Sequence, residues 1–271
     1  MSPQLNTYSD ASSQAIPPHP PKLDTSLADH RHRKAASAYE MVADRLQFLA
    51  GLQALLFLPE SKRSTKERLQ LHRMLAGETW LFGEEYLLTS SDENLSTVLR
   101  KHLALLRPNE KTRGRQPRVV RDDGSEAVID LLLGREVPAY ATTRRECLVV
   151  ELKRPSQCID LAVKAQLESY AMTVRQDERF DKASTHWTFL AVSNEMTDQA
   201  ASTLLQRGRV FGCFHAEPQF RIGLATWSEI LGASRARLEA FREKLGYTAT
   251  KDQGVARLHR TYAKYLPQAL R

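Results

Sequence analysis

The spacing of hydrophobic positions changes along the chain, and the change divides it. From Ala35, AASAYEMVADRLQFLAGLQALLFL keeps Met41, Leu46, Leu49, Leu52 and Leu55 on a repeating face, which predicts a helix. STKERLQLHRMLAG predicts a second helix over about 64–77, with Ser64 as N-cap and Glu67 at the capping-box spacing. In WLFGEEYLLTSSDENLSTVLRKHLALL, the SSDENL segment predicts the start of another short helix ending near Leu106. After Pro108 short β-rich runs take over. RVVRDDGSEAVIDLLLG predicts a β-hairpin around Asp122-Asp123-Gly124. RECLVVELK predicts a third strand, apolar on both faces at its centre as an interior strand is. A helix (QCIDLAVKAQLESYAMTVRQ), a strand (HWTFLAVSN) and a helix ending at Gly208 (MTDQAASTLLQRG) come next. Two strands, VFGCFHA and QFRIGLATW, lead to a helical C-terminus from Ser228. This order predicts an α/β fold, a sheet flanked by helices around one main core with a helical region before it.

Composition sharpens the picture at the ends and little elsewhere. Residues 1–34 hold five of the 12 prolines, in a Ser- and Pro-rich stretch ending in HRHRK, and predict a disordered tail or linker. With 271 residues, 42% hydrophobic and 26% charged, the chain can bury a core without disulfides or a structural metal. Cys147, Cys158 and Cys213 form no CxxC pair, which argues against a disulfide framework or a zinc ribbon. No apolar run approaches the roughly 20 residues that span a bilayer, and MSPQLNTYSD lacks the pattern of a signal peptide. The expectation is a cytoplasmic protein with no membrane partner.

Candidate chemistry concentrates between Ala127 and Val174. Asp130 interrupts the apolar run AVIDLLL, which costs stability unless the carboxylate is paired or metal-bound. In VVELK, side chains alternate across the strand, so Glu151 and Lys153 leave one face and Leu152 the other. The tripeptide alone reads first as a surface salt bridge; its apolar strand and Asp130 upstream bring the two readings level. With Asp130 on the neighbouring strand, the two carboxylates and nearby carbonyl oxygens would make a hard, oxygen-rich site of the kind Mg²⁺ takes, with the Lys153 ammonium beside it, suited to phosphodiester hydrolysis. Gln166 and Tyr170 lie one turn apart on the following helix and share a face, which a core-edge role would also explain.

Asp130, the strand-like spacer, Glu151-Leu152-Lys153 and a helix carrying Gln166 and Tyr170 resemble the PD-(D/E)XK nuclease superfamily. More narrowly, VVELKRPSQCIDLAVKAQLESYA resembles the nuclease domain of the Shedu anti-phage defence proteins, where E-[LIV]-K-[RK]-P precedes a helix with Q-x-x-x-Y. The resemblance covers about 64–245. It implies a restriction-endonuclease-like mixed sheet over 64–245, between a helical region at 35–63 and a basic helical segment at 246–271. It further implies Asp130, Glu151 and the Leu152 carbonyl as ligands of Mg²⁺ or Mn²⁺, and Lys153 as the catalytic lysine. Gln166 would line the site. A glutamate from the first helix would join it: Glu67 matches best, with Glu78, Glu84 and Glu85 open. The implied activity is a metal-dependent DNA endonuclease of phage defence, acting as a homo-oligomer.

Charge adds a partner. Lys+Arg 39 against Asp+Glu 32 gives +7, a balance that permits nucleic acid without requiring it. Seven cations stand between Lys101 and Arg121 against the single acid Glu110. Lys111, Arg113, Arg115 and Arg118 of this run, with Arg144, Arg145 and Arg154, are the candidate phosphate-binding residues for DNA. The rival reading is a non-catalytic nucleic-acid-binding or interaction module on the same fold.

Overall fold

The structure is a computed structural model, and it describes residues 25–106, 124, 126, 128–138, 143–204 and 212–270. The chain divides into two units, Met1–Glu40 and Met41–Arg271. Of the first, the described residues are the opening of helix α1 (Thr25–Phe57), which begins upstream of Ala35, within the stretch expected to be disordered.

Pro59 sits in the first turn of α2 (Pro59–Ser64), where its missing N–H costs nothing. Thr65 and Lys66 are extended, so no helix runs from Ser64 to Gly77. Ser64 ends α2 rather than capping a helix, and its hydroxyl donates back to the Glu60 carbonyl at 2.8 Å. The chain re-enters a helix through a π-turn, Glu67–Leu71, into the short α3 (His72–Leu75). Strand β1 (Leu87–Asn94) occupies the SSDEN segment expected to open a helix. That helix, α4 (Leu95–Leu106), starts one residue after it, with the Asn94 amide oxygen accepting from the Thr97 N–H at 2.9 Å.

Strands β2 (Val128–Pro138) and β3 (Thr143–Leu152) form the hairpin at the centre of the sheet. The partners of β2 are β1 on one edge and β3 on the other; the first run of the expected hairpin, 118–121, and Asp122 and Asp123 of its turn lie outside the described residues. Helix α5 (Leu161–Gln176) carries the chain over to β4 (Thr185–Ser193), parallel to β3. Helix α6 spans only Asp198–Ser202, and the rest of the segment expected to be helical through Gly208 is described no further than Leu204. Then β5 (Cys213–Glu217), β6 (Phe220–Thr226), α7 (Trp227–Leu245) and α8 (Lys251–Tyr262) complete the fold. The six strands lie in the order β1-β2-β3-β4-β6-β5, a mixed sheet flanked by helices. Among the described residues no helix is long and apolar enough to cross a membrane.

Alternation along the strands builds two cores. Leu148, Val150 and Leu152 point to the side packed by α1, α3, α7 and α8. Val149 of β3, with Trp187, Phe189 and Ala191 of β4, points to the side packed by α4 and α5. Helices α1 and α8 cross backbone to backbone, since a Cβ on Gly51 would stand 2.4 Å from the Gly254 carbonyl oxygen.

Candidate active site

The pairing of Leu131 with Val150, continued by one residue, puts Asp130 opposite Glu151 across the β2–β3 hairpin. Residues opposite each other in an antiparallel pair share a face. Both carboxylates are buried, Asp130 at 2% exposure and Glu151 at 5%, and Lys153 is 7% exposed. The Leu152 N–H donates to Asp130 Oδ2 at 2.7 Å, which clamps the carboxylate to the neighbouring strand. Lys153 Nζ donates to Glu151 Oε1 at 2.9 Å and to Gln166 Oε1 at 3.0 Å. The Gln166 amide in turn donates to Tyr170 Oη at 2.7 Å and to Glu151 Oε1 at 3.3 Å. The four side chains therefore form one bonded network linking β3 to α5.

The elements around it hold it in register. Asp160 caps α5, its carboxylate accepting from the Val163 N–H at 2.9 Å. The turn after Lys153 is fastened to the end of β4 by Ser193 Oγ, which donates to the carbonyls of Arg154 and Gln157. Asn194 then ties that end to α1 through the Leu56 carbonyl at 2.6 Å.

Burial by itself lowers the pKa of Lys153, but the charge and hydrogen bond of Glu151, with Glu67 and Asp130 adding to them, outweigh it and hold the pKa above the ordinary lysine value. Lys153 is thus an ammonium near neutral pH, a charge donor and not a base. The same balance separates the four candidate glutamates. The charge of Glu67, at the first position of the π-turn, acts on Lys153. Glu78 instead ion-pairs with Arg257 at 2.8 Å and accepts from Trp80 and Tyr262. Glu84 pairs with Arg45 at 3.1 Å. Glu85, at a left-handed φ of 70°, acts on Arg135.

Asp130, Glu151 and a main-chain carbonyl fit a hard divalent cation that keeps several waters, since Mg²⁺ is commonly held by one or two carboxylates. Among the described residues no three His, Cys, Asp or Glu side chains gather as a larger cage would need. One acid escaped the sequence reasoning. Asp92 lies on β1 between Ser91 and Glu93, which pair with Leu131 and Ile129 on either side of Asp130, and its φ of 54° is left-handed. Its only signal in the sequence, SSDEN, reads as a helix start.

Of the seven expected phosphate-binding residues the structure describes three, Arg144, Arg145 and Arg154. Lys111, Arg113, Arg115 and Arg118 lie outside the described residues. Arg144 and Arg145 enter β3 at the end away from Glu151, and each faces a glutamate: Arg144 pairs with Glu146 at 2.6 Å and Arg145 with Glu136 at 3.4 Å. Arg154 alone of the set adjoins Lys153, and it is exposed. Burial pushes the Cys147 thiol up to about 12, with Arg145 opposing the shift and Asp181 adding to it, so it is no nucleophile near neutral pH.

No protein-family model matches the chain, and no curated protein does. Among solved structures the chain is similar to a repair endonuclease from Pyrococcus abyssi, at 12% identity and a TM-score of 0.31. The likeness covers 59% of this chain and 47% of that one.

Proposed function

We propose that the protein is a metal-dependent nuclease that hydrolyses phosphodiester bonds in DNA, with Mg²⁺ or Mn²⁺ as its ion. The observation that carries the reading is Asp130 opposite Glu151 across the β2–β3 hairpin, both buried, with Lys153, and Gln166 of α5, bonded to Glu151. Buried charge is costly, and a fold without use for it gains by replacing it with apolar residues. Asp130 and Glu151, with the Leu152 carbonyl, would hold the ion. When bound, it supplies an acidified water and neutralises charge on the phosphate.

The chain's own groups divide the remaining work. The Leu152 N–H fixes Asp130, so its other oxygen is oriented without side-chain rearrangement. Lys153, kept charged by its neighbours, donates to a non-bridging phosphate oxygen as negative charge grows there. The Gln166 amide oxygen accepts from the Lys153 ammonium beside the Glu151 carboxylate, and Gln166 is itself held by Tyr170. The charge of Glu67 helps to keep Lys153 protonated. A role in defence against phage, and assembly as a homo-oligomer, rest on the likeness of VVELKRPSQCIDLAVKAQLESYA to Shedu nuclease domains.

The test is cleavage of plasmid and linear DNA with Mg²⁺, Mn²⁺ or EDTA, comparing wild type with Lys153→Ala. Cleavage that needs the metal and falls on the order of 10²–10³-fold in the variant is expected, the usual loss when one charge-stabilising donor is removed. Metal-independent binding with no cleavage by either protein would replace this reading with a non-catalytic module.

A further inference from the structure

We propose that Arg63, Lys66 and Arg154 form the surface that holds the DNA backbone beside the site, an inference that rests on the nuclease reading. Sequence neighbours place two of them: Arg154 directly follows Lys153, and Lys66 directly precedes Glu67, whose charge acts on Lys153. Arg63 stands near the end of α2, on the other side of the extended link. That link is rigid. Thr65 is 1% exposed and its hydroxyl donates to the Ser61 carbonyl at 2.7 Å. Helix α2 is in turn fastened at the same end of the sheet, since Lys62 pairs with Glu195 at 2.5 Å and the Glu195 carbonyl accepts from the Ile159 N–H at 2.9 Å. The Arg154 carbonyl is bonded to Ser193, two residues before Glu195. Thus the Lys62–Glu195 pair and the Ser193 hydroxyl tie α2 and the turn after Lys153 to the same end of β4.

Pairing separates these three cations from Arg144 and Arg145. All three are exposed, and none makes an ion pair with a carboxylate among the described residues. Arg144 and Arg145 already face Glu146 and Glu136, so a phosphate would have to compete with a fixed carboxylate there. Unpaired cations give up only counter-water on meeting a polyanion, and the DNA releases its condensed ions in exchange. The contacts are to phosphate and carry no sequence information.

The experiment measures DNA duplex binding in EDTA by fluorescence anisotropy across a salt series, for the full chain and for Arg63→Ala/Lys66→Ala/Arg154→Ala. Each lost phosphate contact removes about 0.9 from the slope of log K against log salt, so the triple variant is expected to lose about 2.7, with affinity down on the order of 100-fold at 0.15 M salt. The charge-conserving Arg63→Lys/Lys66→Arg/Arg154→Lys variant is expected to restore the slope, which a folding defect would not allow. An unchanged slope and affinity in the alanine variant overturns the proposal. Metal-dependent cleavage is followed in parallel. An unchanged slope with metal-dependent cleavage by both proteins sinks the surface but keeps the nuclease, whereas a lost slope with no cleavage by wild type sinks the nuclease and keeps the surface.

Discussion

At the scale of single residues, burial decides the protonation state and neighbours decide whether burial wins. Lys153 and His102 are both buried, and they go opposite ways. Lys153 has carboxylates on several sides and stays charged. Burial against Phe180 and Trp187 pushes His102 down to about 4, with Asp181 pulling the other way and Arg145 adding to the fall. Its Nε2 accepts from the Asp181 N–H at 3.2 Å, a bond only the neutral ring can make. Because the folded value lies below the unfolded 6.5, the unfolded chain binds more protons between these limits and stability rises with pH. The contribution of His102 is present above 6.5 and is lost as pH falls to about 4, at up to about 1.4 kcal/mol per pH unit inside that window. Urea unfolding of wild type and His102→Gln from pH 7 to 4 is expected to show the variant with the shallower decline. Equal declines would mean the ring is protonated in the folded state. Lys153 predicts the reverse limit. Its raised value means that no loss of stability or of the ammonium's role is expected until pH passes the ordinary lysine value.

Elements carry the site by their ends. Asp160 fixes where α5 starts, and hence the turn on which Gln166 meets Lys153. Asp160→Ala is expected to cost about 1 kcal/mol, lowering the melting temperature by about 2–4 °C for a chain of this size. Differential scanning calorimetry checks it, and an unchanged midpoint would show that the cap is redundant. This helix was legible in the sequence, as was β3 with its alternating VVELK. The segment over 64–77 was not. Its apolar spacing suits a helix, but the extended Thr65 and Lys66 and the π-turn depend on Thr65 being buried against tertiary neighbours. A π-turn recurs at functional sites, and here it brings Glu67 toward Lys153. SSDEN misled for a related reason. Asn94 does cap α4, yet the four residues before it follow the edge of β2, because that edge offers main-chain bonds which local propensity cannot register.

Across the whole molecule, a second buried polar cluster ties together segments far apart in sequence. Arg257 of α8, 6% exposed, pairs with Glu78 and with Asp44 of α1, each at 2.8 Å, and lies over the rings of Phe48 and Tyr262. Glu78 also accepts from Trp80 at 2.7 Å and Tyr262 at 2.9 Å. Burial pushes the Tyr262 hydroxyl up to about 12, with the charge of Glu78 adding to it. Arg257→Met leaves Glu78 buried without its cation and is expected to cost about 3–5 kcal/mol in urea unfolding. Adding Glu78→Gln should recover part of that loss, and a double variant no better than the single would show that packing over Phe48, not charge, sets the cost. By itself the sequence determined the period of the central strands, the shared face of Glu151 and Lys153, and the turn spacing of Gln166 and Tyr170, because each follows from local geometry. Only the tertiary structure decided that Asp130 stands opposite Glu151. It also paired Glu78 with Arg257, and left Arg154 exposed after Lys153 while Arg144 and Arg145 pair with Glu146 and Glu136. Those outcomes turn on strand register and on which charge meets which partner, and both are fixed by contacts between residues that the chain order holds far apart.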